Sequence, residues 1–234
     1  MDLTKFNFKT DYNKATDDIA SDFYLPCMEN ARKYDRISGY FGSTIYIIAW
    51  DAIKAFIANS GKMRIICSSY IIKNDKDALT EGYTARTKEE VFETLKQEIN
   101  EMLEDSFLSK PSRALACFVA MGIVDIKIAV LGVGAGPEAK RLFHDKVGIF
   151  EDIKGNAVGF RGSMNETFKG LSSDGNIESI DVFPNWLDAR DKTRVDNAIN
   201  YFNKLWKNDV EGIDVYDFPE AVNKVLTKYT DTDK

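Results

Sequence analysis

The sequence has a single histidine, His144, and three cysteines, Cys27, Cys67 and Cys117. The cysteines are odd in number, far apart and without a C-x-x-C pair, which excludes a disulfide frame and a cysteine-based zinc site. They read as small buried hydrophobes of a reducing compartment. No apolar run approaches the roughly 20 residues needed to span a bilayer, and the start, Met1-Asp2-Leu3-Thr4-Lys5, lacks the apolar core of a signal peptide. A cytoplasmic protein without a membrane partner is expected. Positive charge is also short: the formal net charge is −6, which argues against a chain built mainly to coat nucleic acid. Affinity for a polyanion follows local cations, however. Candidates are Arg32, Lys33 and Arg36, then Lys140, Arg141, Lys146 and Arg161. There is no internal repeat.

What is present suffices for a sizeable core: 234 residues, 44% of them hydrophobic. We expect one α/β domain over residues 1–234. The charged tail Thr230 to Lys234 reads as a domain edge, compatible with a piece of a longer protein. Tyr34 to Ser43 reads as a strand entering a glycine-bounded turn. Thr44 to Asn59 reads as an apolar helix closed by Ser60-Gly61 with the glycine left-handed, and Met63 to Ile72 as a buried strand. Together they suggest a parallel βαβ unit. A helical insert over about 74–122 follows, with a capping box at Thr87-Lys88-Glu89-Glu90 and a second helix from Arg113 to Met121. Val124 to Val130 alternates as a strand. The glycine-rich segment Leu131 to Pro137 fails the G-x-G-x-x-G spacing and leaves no room for the helix a phosphate loop needs. It reads as a hairpin or crossover loop.

Leu142 to Phe150 and Ala157 to Arg161 read as two strands joined by a Lys154-Gly155-Asn156 turn. A further strand is expected over Ile177 to Phe183. The C-terminal part, about 188–230, is expected to be helical.

Residues two apart on a strand share a face, so His144 and Lys146 are expected to project together. Ser163 and Asn165 of Gly162-Ser163-Met164-Asn165 emerge where the neighbouring strand gives way to a loop. Lysine, amide and hydroxyl groups can donate to phosphate oxygens, and a histidine can act as nucleophile or general acid near neutral pH. Tyr40, Phe41 and Trp186 are aromatics able to stack on bases, with core packing the competing role. Asn165-Glu166-Thr167 matches a glycosylation acceptor, read as accidental without a secretory signal.

His144-x-Lys146, an acidic residue further on, and Gly162-Ser163-x-Asn165 resemble the signature of the phospholipase D superfamily, most closely its nuclease branch and the domains attached to helicases in bacterial defence proteins. The resemblance is specific over about Phe143 to Trp186 and looser over Tyr34 to Ile72. In the acidic position the family carries aspartate where this chain has Glu151, with Asp152 one residue late. Segments like Gly39-Tyr40-Phe41 and Asn176-Ile177-Glu178 flank the motif.

The resemblance implies a central mixed β-sheet flanked by helices, and metal-independent phosphodiester cleavage through a phosphohistidine, with no cofactor. It assigns catalysis to His144, Lys146, Ser163 and Asn165, with Glu178 as an orienting carboxylate. Glu151 or Asp152 would support His144, and Arg161, Arg36 and Tyr40 would hold substrate. Such chemistry uses one histidine as nucleophile and another to protonate the leaving oxygen. One histidine per chain therefore points to a two-fold homodimer. The expected substrate is DNA, in restriction or phage defence, with a fused or associated helicase as a further partner. A lipid-headgroup or other phosphodiester enzyme, or an inactive dimerisation module, are the competing readings.

Overall fold

Among the described residues, strands from both halves of the chain build one mixed sheet of eight strands. The computed structural model describes residues 2–131 and 142–226. Residues 132–137 of the glycine-rich segment, Lys140, Arg141 and the tail 230–234 lie outside them. The N-terminal arm makes a 3-10 turn (Leu3–Lys5) and a short strand, β1 (Asp11–Asn13). A π-helical turn (Ala20–Tyr24) then runs into α1 (Leu25–Asn30), whose Pro26 sits in the first turn, where a missing N–H is harmless.

The βαβ unit forms as the pattern suggests. β2 (Lys33–Ser38) is followed by α2 (Ile45–Ile48), α3 (Trp50–Ala58) and β3 (Lys62–Cys67), and β2 and β3 pair in parallel from Lys33↔Lys62 to Ser38↔Cys67. The residue that turns left-handed after α3 is Ser60 (φ 57°) and not Gly61. Gly61 is needed for room instead, because a Cβ there would sit 2.5 Å from the Phe56 ring.

The insert is three helices, α4 (Lys73–Ala85), α5 (Glu89–Glu104) and α6 (Pro111–Ala120). The capping box does not form: Thr87 Oγ1 turns back to Thr84 O, and Lys88 is the N-cap. Arg113 ties the insert together by pairing with Glu81 and Glu98. The insert is also anchored to the body. The buried Asp75 carboxylate accepts from Ser43 N (2.9 Å), Ser43 Oγ (2.5 Å) and Ser112 Oγ (2.8 Å).

β4 (Val124–Leu131) continues the parallel set beside β3. β5 (Val147–Glu151) and β6 (Ala157–Gly162) form the hairpin, its turn using Gly155 at φ 83°. β5 begins at Val147, so His144 and Lys146 lie on the extended approach to the strand. α7 (Phe168–Leu171) and β7 (Ser179–Pro184) follow, then α8 (Ala189–Trp206). The C-terminal part is not wholly helical. β8 (Ile213–Asp217), entered through Gly212 at φ 80°, pairs antiparallel with β4 before α9 (Phe218–Lys224). Five residues are too few for periodicity to announce a strand.

The sheet order is β1-β7-β6-β5-β2-β3-β4-β8. Odd and even positions of β2 serve different layers, as strand geometry requires. Ile37 joins Ile66, Val147, Ile149 and Phe183 under α8, meeting Val195, Phe202 and Leu205. Tyr34 faces the opposite core with Phe23, Phe56, Phe118, Phe150 and Phe160. The three cysteines are buried and unlinked. No described helix is long and apolar enough to cross a membrane.

Candidate active site

β2 and β3 end where β5 begins, β6 ends and β7 begins: Ile37 faces Val147, Val147 faces Arg161, and Gly162 faces Ile180. That one end of the sheet collects His144, Lys146, Ser163, Asn165 and Glu178, although they come from separate stretches of chain. His144 is exposed, while Lys146 is buried (6% accessible). The Lys146 Nζ lies 3.0 Å from Nδ1 and 3.1 Å from Nε2 of His144, and 3.0 Å from the His144 carbonyl oxygen. One ammonium therefore covers a side of the imidazole and holds its backbone.

The turn after β2 supplies the other wall. Tyr40 N donates to Asn165 Oδ1 (3.1 Å). With its oxygen so held, the Asn165 carboxamide presents its NH2 as a donor. Gly39 has no side chain because there is no room for one. A Cβ there would overlap Cδ2 of His144 and lie 3.1 Å from its Nε2 and 3.2 Å from Asn165 Oδ1. The Tyr40 ring meets the imidazole edge-to-face at 5.6 Å. Gly39→Ala is expected to push the imidazole aside and lower turnover about 100-fold, since misplacing a reacting group by about 1 Å has that effect. An unchanged rate with an unchanged fold by circular dichroism would contradict this packing role.

Beneath the site is a buried charge cluster that sequence reading missed. Glu166, next to Asn165, is fully buried. Its carboxylate accepts from Tyr24 Oη (2.5 Å), Tyr34 Oη (2.9 Å) and Arg36 Nε (2.8 Å). Its backbone N donates to Ser38 Oγ (2.9 Å), and its carbonyl accepts from Gly42 N (2.9 Å). Arg36 also reaches the Met164 carbonyl and lies 4.9 Å over the Phe160 ring. Residues 164–166 are thereby clamped to β2 on both sides of Asn165. One signal was available: a carboxylate directly after the amide of the Gly-Ser-x-Asn motif.

Two cations share the site floor. Burial and then the neighbouring Arg36 hold Lys146 below the ordinary lysine range, while Glu178 and Asp145 oppose the shift. Partial burial and then the Lys146 charge hold His144 below the ordinary histidine range. The imidazole thus stays neutral to a lower pH than a free histidine. Because the chain has one histidine, an imidazole NMR titration reads this directly. The midpoint should lie below that of a free histidine, and Lys146→Met should move it upward by removing the adjacent cation. A midpoint that Lys146→Met leaves in place would mean the ammonium does not act on the ring.

Not every candidate joins the cluster. Glu151 and Asp152 lie at the opposite end of β5, roughly 13 Å of strand away from Val147. Glu151 faces Lys33 at 3.8 Å. Asp152 closes its own turn, accepting from Lys154 N (2.7 Å) and Asn156 Nδ2 (2.9 Å), and holds the N-terminal arm through Leu3 N (3.0 Å). The resemblance puts these carboxylates beside His144, but Glu151 pairs across to β2 and Asp152 closes the turn. Arg36 is in place but fully buried, so it shapes the site from below. Arg161 is exposed on the β6 end and pairs with Asp145 at 3.6 Å. Ser163 closes the β6–β7 junction: its Oγ accepts from Ser179 N, and its N donates to Ser179 O, both at 3.0 Å. Glu178 is buried just before β7, its carbonyl accepting from Lys14 N. Phe41 is buried in the core, and Trp186 packs beside Phe8, so of the three aromatics Tyr40 alone faces the site. Among the described residues, no three His, Cys, Asp or Glu side chains gather as metal ligands.

Fold and site define an α/β protein whose mixed sheet presents an imidazole, an ammonium and a carboxamide at one end. No protein-family model and no curated protein matches the sequence. Among solved structures the chain is similar to a phospholipase D family member, Nuc, from Salmonella typhimurium. The identity is 12%, with 82% of this chain and 88% of that chain covered and a TM-score of 0.41. It is similar also to a phosphatidylserine synthase from Haemophilus influenzae (12% identity, 94% and 44% covered, TM-score 0.45). A third likeness is to yeast tyrosyl-DNA phosphodiesterase 1 (13%, 79% and 35%, TM-score 0.39). The chain spans less than half the length of the latter two.

Proposed function

We propose that this chain is a phosphodiesterase acting on DNA, with His144 as its nucleophile. The observation that carries the reading is the contact of Lys146 Nζ with both ring nitrogens of His144, beside an Asn165 amide oriented by Tyr40 N. A neutral imidazole nitrogen attacks phosphorus and the P–O bond to the leaving strand breaks. Lys146 and the Asn165 NH2 offset the charge that develops on the non-bridging oxygens. The leaving oxygen takes a proton from a second imidazolium. Water, losing its proton to that same second imidazole, then cleaves the phosphohistidine and frees His144.

The chain's single histidine requires that second imidazole to come from another copy, in an isologous dimer. A setting in restriction or phage defence, with a helicase fused or associated, is part of this reading. Cleavage of DNA in EDTA tests the chemistry. A subunit-mixing experiment tests the dimer. Exchanged with an equal amount of His144→Ala protein, wild-type subunits should fall to about half their activity, because only the pure wild-type dimer holds both imidazoles. Undiminished activity per wild-type subunit, or an active monomer by sizing, would refute the shared site.

A further inference from the structure

Tyr40 stands beside His144 and Tyr70 beside Tyr40, and the reaction uses neither ring. Tyr40 is 36% accessible and Tyr70 49%, and their rings lie 6.0 Å apart at an interplanar angle of 55°. The Tyr40 ring is in turn 5.6 Å from the imidazole. The line His144, Tyr40, Tyr70 therefore leads outward from the reacting nitrogen across two aromatic rings. Both rings are tied to the site by their backbones. Tyr40 N donates to the Asn165 amide, and Tyr40 O accepts from Ser38 Oγ (2.6 Å). Tyr70 N donates to Ser68 Oγ (3.4 Å), which itself donates to the Gly39 carbonyl.

We propose that Tyr40 and Tyr70 form a stacking platform for the unpaired base next to the phosphate held at His144, making single-stranded nucleic acid the preferred substrate. This rests on the phosphodiesterase reading of the same site. Four features favour it. Aromatic faces bind bases of any sequence, provided the base is out of its pair. In an intact duplex the bases are stacked on one another, and only extrusion exposes a face to a protein ring. With a charge of −6, phosphate attraction rests on a few local cations, so contacts with a base such as these add to affinity. The rings begin one side chain away from the imidazole, so their occupant is continuous with whatever His144 attacks.

The test uses full-length protein carrying His144→Ala, to prevent turnover, and fluorescence anisotropy with three probes of equal length: single-stranded oligothymidylate, an abasic strand of the same charge, and a duplex. The platform predicts that oligothymidylate binds most tightly. It predicts further that Tyr70→Leu lowers that affinity by about 5- to 140-fold, that Tyr70→Phe restores it, and that neither variant changes binding of the abasic strand. Equal affinity for the abasic strand, or for the duplex, would overturn it. So would a Tyr70→Leu effect that appears as loss of the dimer on sizing, which would assign the rings to the interface with a second copy. If base-dependent binding holds but wild-type protein cleaves no DNA, the catalytic reading fails and the platform stands. If wild-type protein cleaves single and double strands alike without base-dependent binding, the platform alone fails.

Discussion

His144→Ala protein is expected to fold, to bind DNA, and to cleave it at least about 10,000-fold more slowly than wild type, the scale on which removal of a nucleophile acts when other binding groups remain. The residue is exposed at the mouth of the site, and its ring makes no part of either core. Truncation should therefore leave the melting temperature within about 2 °C of wild type, as for surface changes of about 0.5 kcal/mol. Cleavage rates measured in EDTA, beside circular dichroism melts, check both halves. Residual cleavage within tenfold of wild type would remove His144 from the chemistry.

Glu166→Ala should have the largest effect on stability. It strips the carboxylate from a fully buried Arg36 and leaves the Tyr24 and Tyr34 hydroxyls without their acceptor. Breaking a buried pair by removing one partner costs about 3–5 kcal/mol, which for a domain of this size lowers the melting temperature by roughly 6–20 °C. Asn165 adjoins the break, so turnover should fall as well. The double variant Arg36→Met, Glu166→Leu should be less destabilised than the sum of the single changes, because the two residues share one interaction. A Glu166→Ala protein as stable as wild type would mean that the cluster is not a clamp.

The parts of this arrangement that are local in sequence were legible there. Alternation gave the β5–β6 hairpin, and the strand–helix–strand pattern gave the parallel β2–β3 pair. His144 of His144-x-Lys146 and Ser163 of Gly162-Ser163-x-Asn165 lie 19 residues apart, and the hairpin brings the two motifs together. What escaped was set by partners far along the chain. Arg36 and Glu166 meet at a separation of 130 residues, and nothing in periodicity records a buried pair between a central strand and a loop. For the same reason the sequence offers Arg36 as a substrate-holding cation, whereas it is fully buried against Glu166. Glu151 shows the opposite error. Its distance in sequence from His144 is small, but a strand is straight, so nearby residues along it can stand at opposite ends of the sheet. β8 was lost among helices because its five residues match no period, and only its pairing with β4 makes it a strand.

The central prediction is a covalent bond between His144 and phosphorus. The most direct measurement is rapid quenching of wild-type protein with excess DNA in EDTA, followed by mass spectrometry of the digested protein. The prediction is an acid-labile nucleotide adduct on the peptide that carries His144, forming and decaying within the turnover time and absent from His144→Ala protein. Metal-free turnover with no adduct on that peptide at any time would contradict it.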